Sequence, residues 1–296
     1  MFRKLLTTFA LLGALALPGN AFAKIRVAAS INDLASIASS VGGDEVEVFS
    51  IARSTADTHH IEVLPSYMVK VSRANVYLKV GLGLDQWADG IVDGSRNAHI
   101  TVVDCSKDVP VLEKPTQQVN ASMGDVHPYG NPHYWPDPRN GAIVAHTIAE
   151  ALASVDPKHA ADYRDRADKF GKEAQETWKK AKAVAEGMPV KVMITYHRSW
   201  TYFANAFGFE VAAEAEPVPG IPPTGKHLAE VVNIAKERHV PIFLQEPWFS
   251  SDAGNFLARE GGVRVVMASP SCDTVAAGSY LGHISDLIAK IGGGKS

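Results

Sequence analysis

His59 and His60, His133, His197 and Asp273 are the side chains on which a metal site could be built in this 296-residue chain. Three imidazoles and one carboxylate form a borderline-soft, four-coordinate donor set that suits Zn²⁺. Mn²⁺ would draw more oxygen ligands. Glu246 is a competing carboxylate, and His127 lies in a loop where it could help capture ions. The other histidines, at 99, 146, 159, 227, 239 and 283, fall within helices, at element ends or on solvent faces, and read as structural or exposed. Two cysteines, Cys105 and Cys272, are too few for a thiolate zinc site or a disulfide scaffold.

The candidates share a position relative to the predicted elements. Strands are expected at 25–30, 46–51, 76–80 and 100–103, alternating with helices that begin near Asn32, Pro65 and Leu84. Asn32 is the expected cap of the first helix and Pro65 opens the second from its first turn. After Arg139–Ser154 comes an amphipathic pattern in which Tyr163, Ala167, Phe170, Ala174, Trp178 and Ala181 recur at spacings of three and four. It predicts one helix from about Lys158 to Glu186, roughly 40 Å long at 1.5 Å per residue. The alternation then restarts, with strands at 190–195, 209–213, 242–245 and 263–267, a helix capped by Thr224, another from Ser251 or Asp252 to Glu260, and a last helix to Ile291. The expected fold is α/β: two lobes, each a four-stranded parallel sheet flanked by helices, joined by one long rigid helix. In such sheets ligands bind beyond the carboxyl ends of the strands. His59 and His60 follow the second strand, and His133 the loop after the fourth. His197 follows the first strand of the second lobe, Glu246 its third and Asp273 its last, so the metal site is expected in the cleft between lobes.

His133 sits in Asn131-Pro132-His133-Tyr134-Trp135-Pro136-Asp137-Pro138. Three prolines in eight residues exclude a helix interior or a central strand and stiffen the support under the imidazole. The preceding loop, 106–137, is rich in Pro, Gly, Asn and Asp and has no periodicity, a length and composition usual for functional loops.

The chain opens with Arg3 and Lys4, an apolar run from Leu5 to Leu17 and the small-x-small sequence Ala21-Phe22-Ala23. This is the pattern of a cleavable signal peptide, residues 1–23, and predicts export. No other stretch is long and apolar enough to span a bilayer. Loss of the leader leaves a net charge of about −5, and with no basic run this argues against nucleic acid as a partner. The remaining organisation is an N-terminal lobe at 24–156, a linker helix at 157–187 and a C-terminal lobe at 188–296.

Several segments together resemble the zinc/manganese family of ABC-transporter periplasmic solute-binding proteins (cluster A-I). Asp57-Thr58-His59-His60 leading to Pro65-Ser66 is similar to that family's Asp-Pro-His motif ahead of a Pro-Ser helix start. Gly81-Leu82-Gly83-Leu84-Asp85-Gln86-Trp87 resembles its Gly-Leu-Gly-x-Glu-x-Trp segment, and 131–138 its Asp-Pro-His-x-Trp-x-Asp-Pro signature. Tyr196-His197 through Phe207-Gly208, and Gly278-Ser279-Tyr280-Leu281, match later motifs in the family's order. The resemblance covers essentially the whole mature chain. It implies His59, His133, His197 and Asp273 as ligands, with His60 an alternative to its neighbour.

The expected protein is a periplasmic carrier, not an enzyme, that captures Zn²⁺ with a His₃-Asp site and delivers it to the membrane permease of an ABC importer. It is expected to act as a monomer, with a periplasmic metallochaperone as a further partner. The alternatives are a manganese-binding member of the same family and a secreted zinc hydrolase using Glu246 as general base. No His-Glu-x-x-His helix supports the latter. Cys105 and Cys272 would either bridge the lobes as a disulfide or remain two buried thiols.

Overall fold

The computed structural model describes residues 23–117, 119, 124 and 126–293. The expected leader therefore lies almost wholly outside the described residues. Among the described residues, eight strands form two separate four-stranded sheets, both fully parallel. The first has β1 (Ile25–Ala29), β2 (Val46–Ser50), β3 (Val76–Lys79) and β4 (Thr101–Asp104) in the order β2-β1-β3-β4. The second repeats that order with β5 (Val192–Thr195), β6 (Glu210–Glu214), β7 (Ile242–Gln245) and β8 (Arg264–Met267), as β6-β5-β7-β8. In each sheet the order reverses direction between the two central strands, and the crevice at their carboxyl ends is where ligands collect.

The crossovers of the first lobe are α1 (Asn32–Gly42), α2 (Pro65–Val71) and α3 (Trp87–Ser95), and α4 (Pro138–Val155) comes after the long loop. Those of the second are α6 (Thr201–Phe207), α7 (Gly225–Glu237) and α8 (Asp252–Gly261). The long helix α5 (Ala160–Glu186) runs between the lobes, led in by a 3₁₀ turn at Pro157–His159, and α9 (Ser279–Ile291) ends the fold. Proline opens α2 and α4, and the Thr224 hydroxyl accepts the His227 amide at the start of α7. Asn32 is not the cap of α1: Ile31 holds that position, and the Asn32 amide is used elsewhere.

Among the described residues, one of three buried clusters spans both lobes. It takes in Val27 and Leu34 from the first lobe, Phe170 and Ala174 from α5, and Met193, Phe203 and Ile284 from the second half of the chain. Helix α5 is pinned on both sides. Arg166 donates to the Val41 and Gly42 carbonyls at 2.6 and 3.1 Å, and Trp178 Nε1 donates to the Ala206 carbonyl at 3.0 Å. Helix α9 packs on α1 and α5 rather than only on its own sheet.

A second clasp joins α1 to the segment leading into α9. Asn32 Nδ2 donates to the Cys272 carbonyl at 2.9 Å, Ser36 Oγ to Ala276 at 2.7 Å and Ser39 Oγ to Val275 at 2.7 Å. In return the Cys272 amide donates to Asp33 at 3.1 Å and the Tyr280 amide to Ser36 Oγ at 3.0 Å. Cys105 and Cys272 are two free, buried thiols, so of the two expectations for this pair the structure has the unbridged one.

Candidate metal centre

Three imidazoles converge between the sheets. His59 comes from the loop after β2, His133 from the proline-rich stretch before α4, and His197 from the end of β5. Their ring centroids are 5.1, 5.0 and 5.2 Å apart, almost an equilateral triangle. One ligand atom from each lies within 4.8 Å of the other two.

The local sequence explains how each ring is aimed. Asp57 Oδ1 accepts both the His59 backbone N–H at 3.0 Å and its ring Nδ1 at 2.8 Å. Asn131 Oδ1 does the same for His133, at 2.9 Å to each. An Asx side chain two residues before a histidine thus closes a local turn and fixes the ring in one step. His197 is held differently, by Glu216 Oε2 at 2.6 Å from Nδ1 across the second sheet. Carboxylates and the Asn131 oxygen only accept, so each Nδ1 carries a proton and Nε2 is the nitrogen left to face a metal. All three Nε2 atoms are buried without a hydrogen-bond partner. Burial, and then the neighbouring imidazoles, push the His133 ring well below the usual histidine range, so it is neutral and ready to ligate.

The supports of these loops reach deep into both lobes. Trp87 Nε1 donates to the Thr58 carbonyl at 2.9 Å, anchoring the His59 loop. Tyr134 donates to the Val80 carbonyl at 2.9 Å and Trp135 Nε1 to Pro270 at 3.1 Å. The Tyr280 hydroxyl from α9 donates to Trp135 at 2.7 Å. Asn131 Nδ2 donates to Glu113 at 2.8 Å and to the Arg198 carbonyl at 3.0 Å, and Tyr202 donates to the Asn131 carbonyl at 2.9 Å. Beside the site, the buried Asp85 carboxylate accepts the Val80 and Gly81 amides at 2.7 and 3.1 Å. It fixes the Gly81-Leu82-Gly83 turn, whose three φ angles are all positive (84°, 53° and 85°).

The other expected ligands fall elsewhere. His60 is exposed, its ring 6.2 Å from that of His59, so of the adjacent pair it is His59 that faces the cluster. Asp273 is not brought to the triad. It is exposed, accepts from Ser54 Oγ at 2.7 Å and lines a separate cavity with Ser269 and His283. The physical reason is the clasp on α1, which fixes Cys272, Val275 and Ala276 against the first lobe. Glu246 is also outside the triad, wholly buried, with Oε1 accepting from Trp200 Nε1 at 3.0 Å. Burial pushes its carboxyl up to about 8. His127 lies beside the cluster, its ring stacked on His59 at 5.4 Å. Glu216 and Asn131 were not among the expected functional residues. The signal for Glu216 was sheet order: β6 neighbours β5, so a residue just past β6 flanks one just past β5.

Glu246 makes a pH prediction. Its folded-state value is raised from the ordinary 4.5 to about 8, so the folded protein binds a proton in that window which the unfolded chain has released. The stabilisation is complete below about 4.5 and is lost as pH rises through about 8. Glu246→Gln, which can still accept from Trp200, is expected to match the parent near pH 4.5 and to melt several degrees higher than it at pH 8. Thermal denaturation of the metal-free proteins across that range checks it, and parallel curves would contradict it.

Three convergent imidazoles in the cleft of two like α/β lobes make a candidate metal-binding site. The family described as zinc-uptake complex component A, periplasmic, matches residues 27–293, and the chain belongs to it. The iron-binding protein YfeA of Yersinia pestis is 25% identical over 83% of this chain and 77% of its own. The manganese ABC transporter substrate-binding lipoprotein PsaA of Streptococcus anginosus is 27% identical over 66% of this chain and 65% of its own. A crystal structure of ZnuA superposes with a TM-score of 0.79 at 24% identity, over 92% of this chain and all of that one. Among the described residues no helix is long and apolar enough to cross a membrane.

Proposed function

We propose that this protein is a periplasmic carrier that captures Zn²⁺ between His59, His133 and His197 and hands it to the permease of an ABC importer. The observation that carries the reading is the set of three convergent Nε2 atoms, each on a ring whose Nδ1 is already bonded to an acceptor. Three aimed imidazoles form a cradle for a borderline-soft dication. Such an ion draws nitrogen ligands to about 3.4 Å from one another at bond lengths near 2.05 Å, so the triad need contract only modestly.

Zinc is favoured over manganese by the donors. Among the described residues no carboxylate joins the triad, and Mn²⁺ seeks oxygen. The outer carboxylates Asp57 and Glu216 offset the ion's charge without occupying its coordination sphere. The signal-peptide pattern at 1–23 supports a periplasmic location, and the mature chain is read as two lobes at 24–156 and 188–296 about the helix at 157–187. The monomeric state and transfer from a metallochaperone belong to the same reading.

The test is competitive titration of the purified apoprotein with a chromophoric chelator. Zn²⁺ is expected to bind at one equivalent and to outcompete Mn²⁺ by several orders of magnitude. Tighter binding of Mn²⁺, or no saturable site for either ion, would overturn the assignment.

A further inference from the structure

We infer that Asn131 is a positioning residue that ties the two halves of the metal site together, with Glu113 as its second anchor. The inference rests on the triad being the metal cradle. It adds to that reading the device that sets the spacing of His133 and His197, and so how long an ion is held.

Asp57 shows that aiming a ring needs only an acceptor. Its Oδ1 holds both the backbone N–H and the Nδ1 of His59, and a carboxylate has nothing to donate. Asn131 does the same for His133 with its Oδ1 and has two N–H donors besides. Those donors point across the cleft. Nδ2 lies 3.0 Å from the Arg198 carbonyl oxygen, 3.1 Å from Thr201 Oγ1 and 2.8 Å from Glu113 Oε2. Arg198 and Thr201 come shortly after His197 in the chain, so one buried amide holds a ring from the first lobe and the segment that carries a ring of the second.

Glu113 braces the tie. Its Oε1 accepts from Thr201 Oγ1 at 3.3 Å while Oε2 accepts from Asn131, and it lines one cavity with His133 and His197. Its φ of 51° is left-handed, a conformation kept at a non-glycine residue where the surroundings over-determine it. The main chain is fastened independently. Tyr202 from α6 accepts the Leu112 amide and donates to the Asn131 carbonyl, at 2.9 Å each, and the Asn131 amide donates to the Leu112 carbonyl at 2.9 Å. Replacing the Asn131 side chain therefore cuts the tie without freeing the segment.

Giving position 131 the aspartate that His59 has two residues before it sets the sign of the test. The carboxylate would still accept from His133, with a charge that strengthens the bond and makes the ring a better ligand. It could not donate to Arg198 or Thr201, and it would face the Glu113 carboxylate. If residue 131 only aims His133, Asn131→Asp binds Zn²⁺ as tightly as the parent or tighter. If it ties the halves, the same change weakens binding.

Zn²⁺ affinity by chelator competition, and Zn²⁺ release by stopped-flow chelator capture, are measured in the full chain for the parent, Asn131→Asp, Glu113→Gln, their double variant, Thr201→Val and His133→Ala. Asn131→Asp is expected to lose about 10- to 100-fold in affinity, the usual effect of losing an outer partner, chiefly through faster release. Glu113→Gln keeps an acceptor for Asn131 and should stay close to the parent. The double variant should recover part of the loss, because the new glutamine amide can donate to the new carboxylate. Thr201→Val cuts one arm and touches no ring, and should release Zn²⁺ about 2- to 10-fold faster, the worth of one neutral hydrogen bond. Parental or tighter binding in Asn131→Asp, or no recovery in the double variant, would overturn the inference. Should Asn131→Asp fail to fold, parental release from Thr201→Val overturns it instead. If His133→Ala binds like the parent, the cradle itself is wrong, whereas a parental Asn131→Asp beside an inert His133→Ala sinks the tie alone.

Discussion

His133→Ala is expected to abolish nearly all of the Zn²⁺-dependent rise in melting temperature of the parent protein. An ion that binds only the folded state stabilises it by about 2.7 kcal/mol at 100 times its dissociation constant and about 4.1 kcal/mol at 1,000 times. For a chain of this size that is a rise of roughly 5 to 15 °C. His133 is buried on the proline-stiffened stretch at 131–138, with its ring 5.4 Å from that of Trp135. The variant should therefore show a metal-independent melting curve by differential scanning fluorimetry, and a rise equal to the parent's would exclude His133 as a ligand. The metal-free variant carries a second signature. Because the His133 ring is held well below its ordinary value of 6.5, the unfolded chain takes up a proton there and the folded protein does not. That contribution to stability is present above about 6.5 and is lost as pH falls below it, so His133→Ala should be less sensitive to acid in that range.

The second large effect is expected at Glu216, which touches no metal. Glu216→Ala leaves the His197 Nδ1–H buried and unpaired and frees the ring to turn away from the triad. Losing such a partner typically lowers metal affinity by about 10- to 100-fold. Glu216→Gln keeps an acceptor for Nδ1 but removes the charge, so its affinity should fall between that of the parent and that of the alanine variant. Isothermal titration of the three proteins with Zn²⁺ gives the order, and equal affinities would mean that His197 is aimed by its strand alone. Glu216 also helps to raise the Glu246 carboxyl, so both substitutions should shift the stability profile of the metal-free protein above neutral pH.

Much of the fold was legible because its signals are local. Strands such as Ile242–Gln245 are short apolar runs, and Tyr163, Ala167, Phe170 and Ala174 mark the buried face of α5. His59, His133 and His197 could be placed in one cleft because a parallel sheet sends the loop after every strand to the same edge. Asp273 defeated the same logic. It does come after β8, but Asn32, Ser36 and Ser39 capture the chain around it, and contacts spanning about 240 residues leave no local pattern. Asn32 misled for the same reason, since a residue with the chemistry of a helix cap was spent on the clasp. Glu216 lay in a proline-rich loop and needed the strand order to reveal it. The pairs Asp57-His59 and Asn131-His133 were visible as spacing, but their shared hydrogen bonding was not.

The clasp between α1 and the segment before α9 bears on the order in which the molecule assembles. Tyr280, at the start of α9, holds the carbonyl of Trp135 two residues beyond His133, and the side chains of Asn32, Asp33, Ser36 and Ser39 on α1 find partners among residues 272–280. Contacts of such high sequence separation form late, after most of the loop-closure entropy has been met. A chain emerging amino-terminus first would thus carry His59 and His133 long before it could hold them in register. Metal competence is therefore expected to arrive with the last helix, and half-made chains to hold a metal ion poorly.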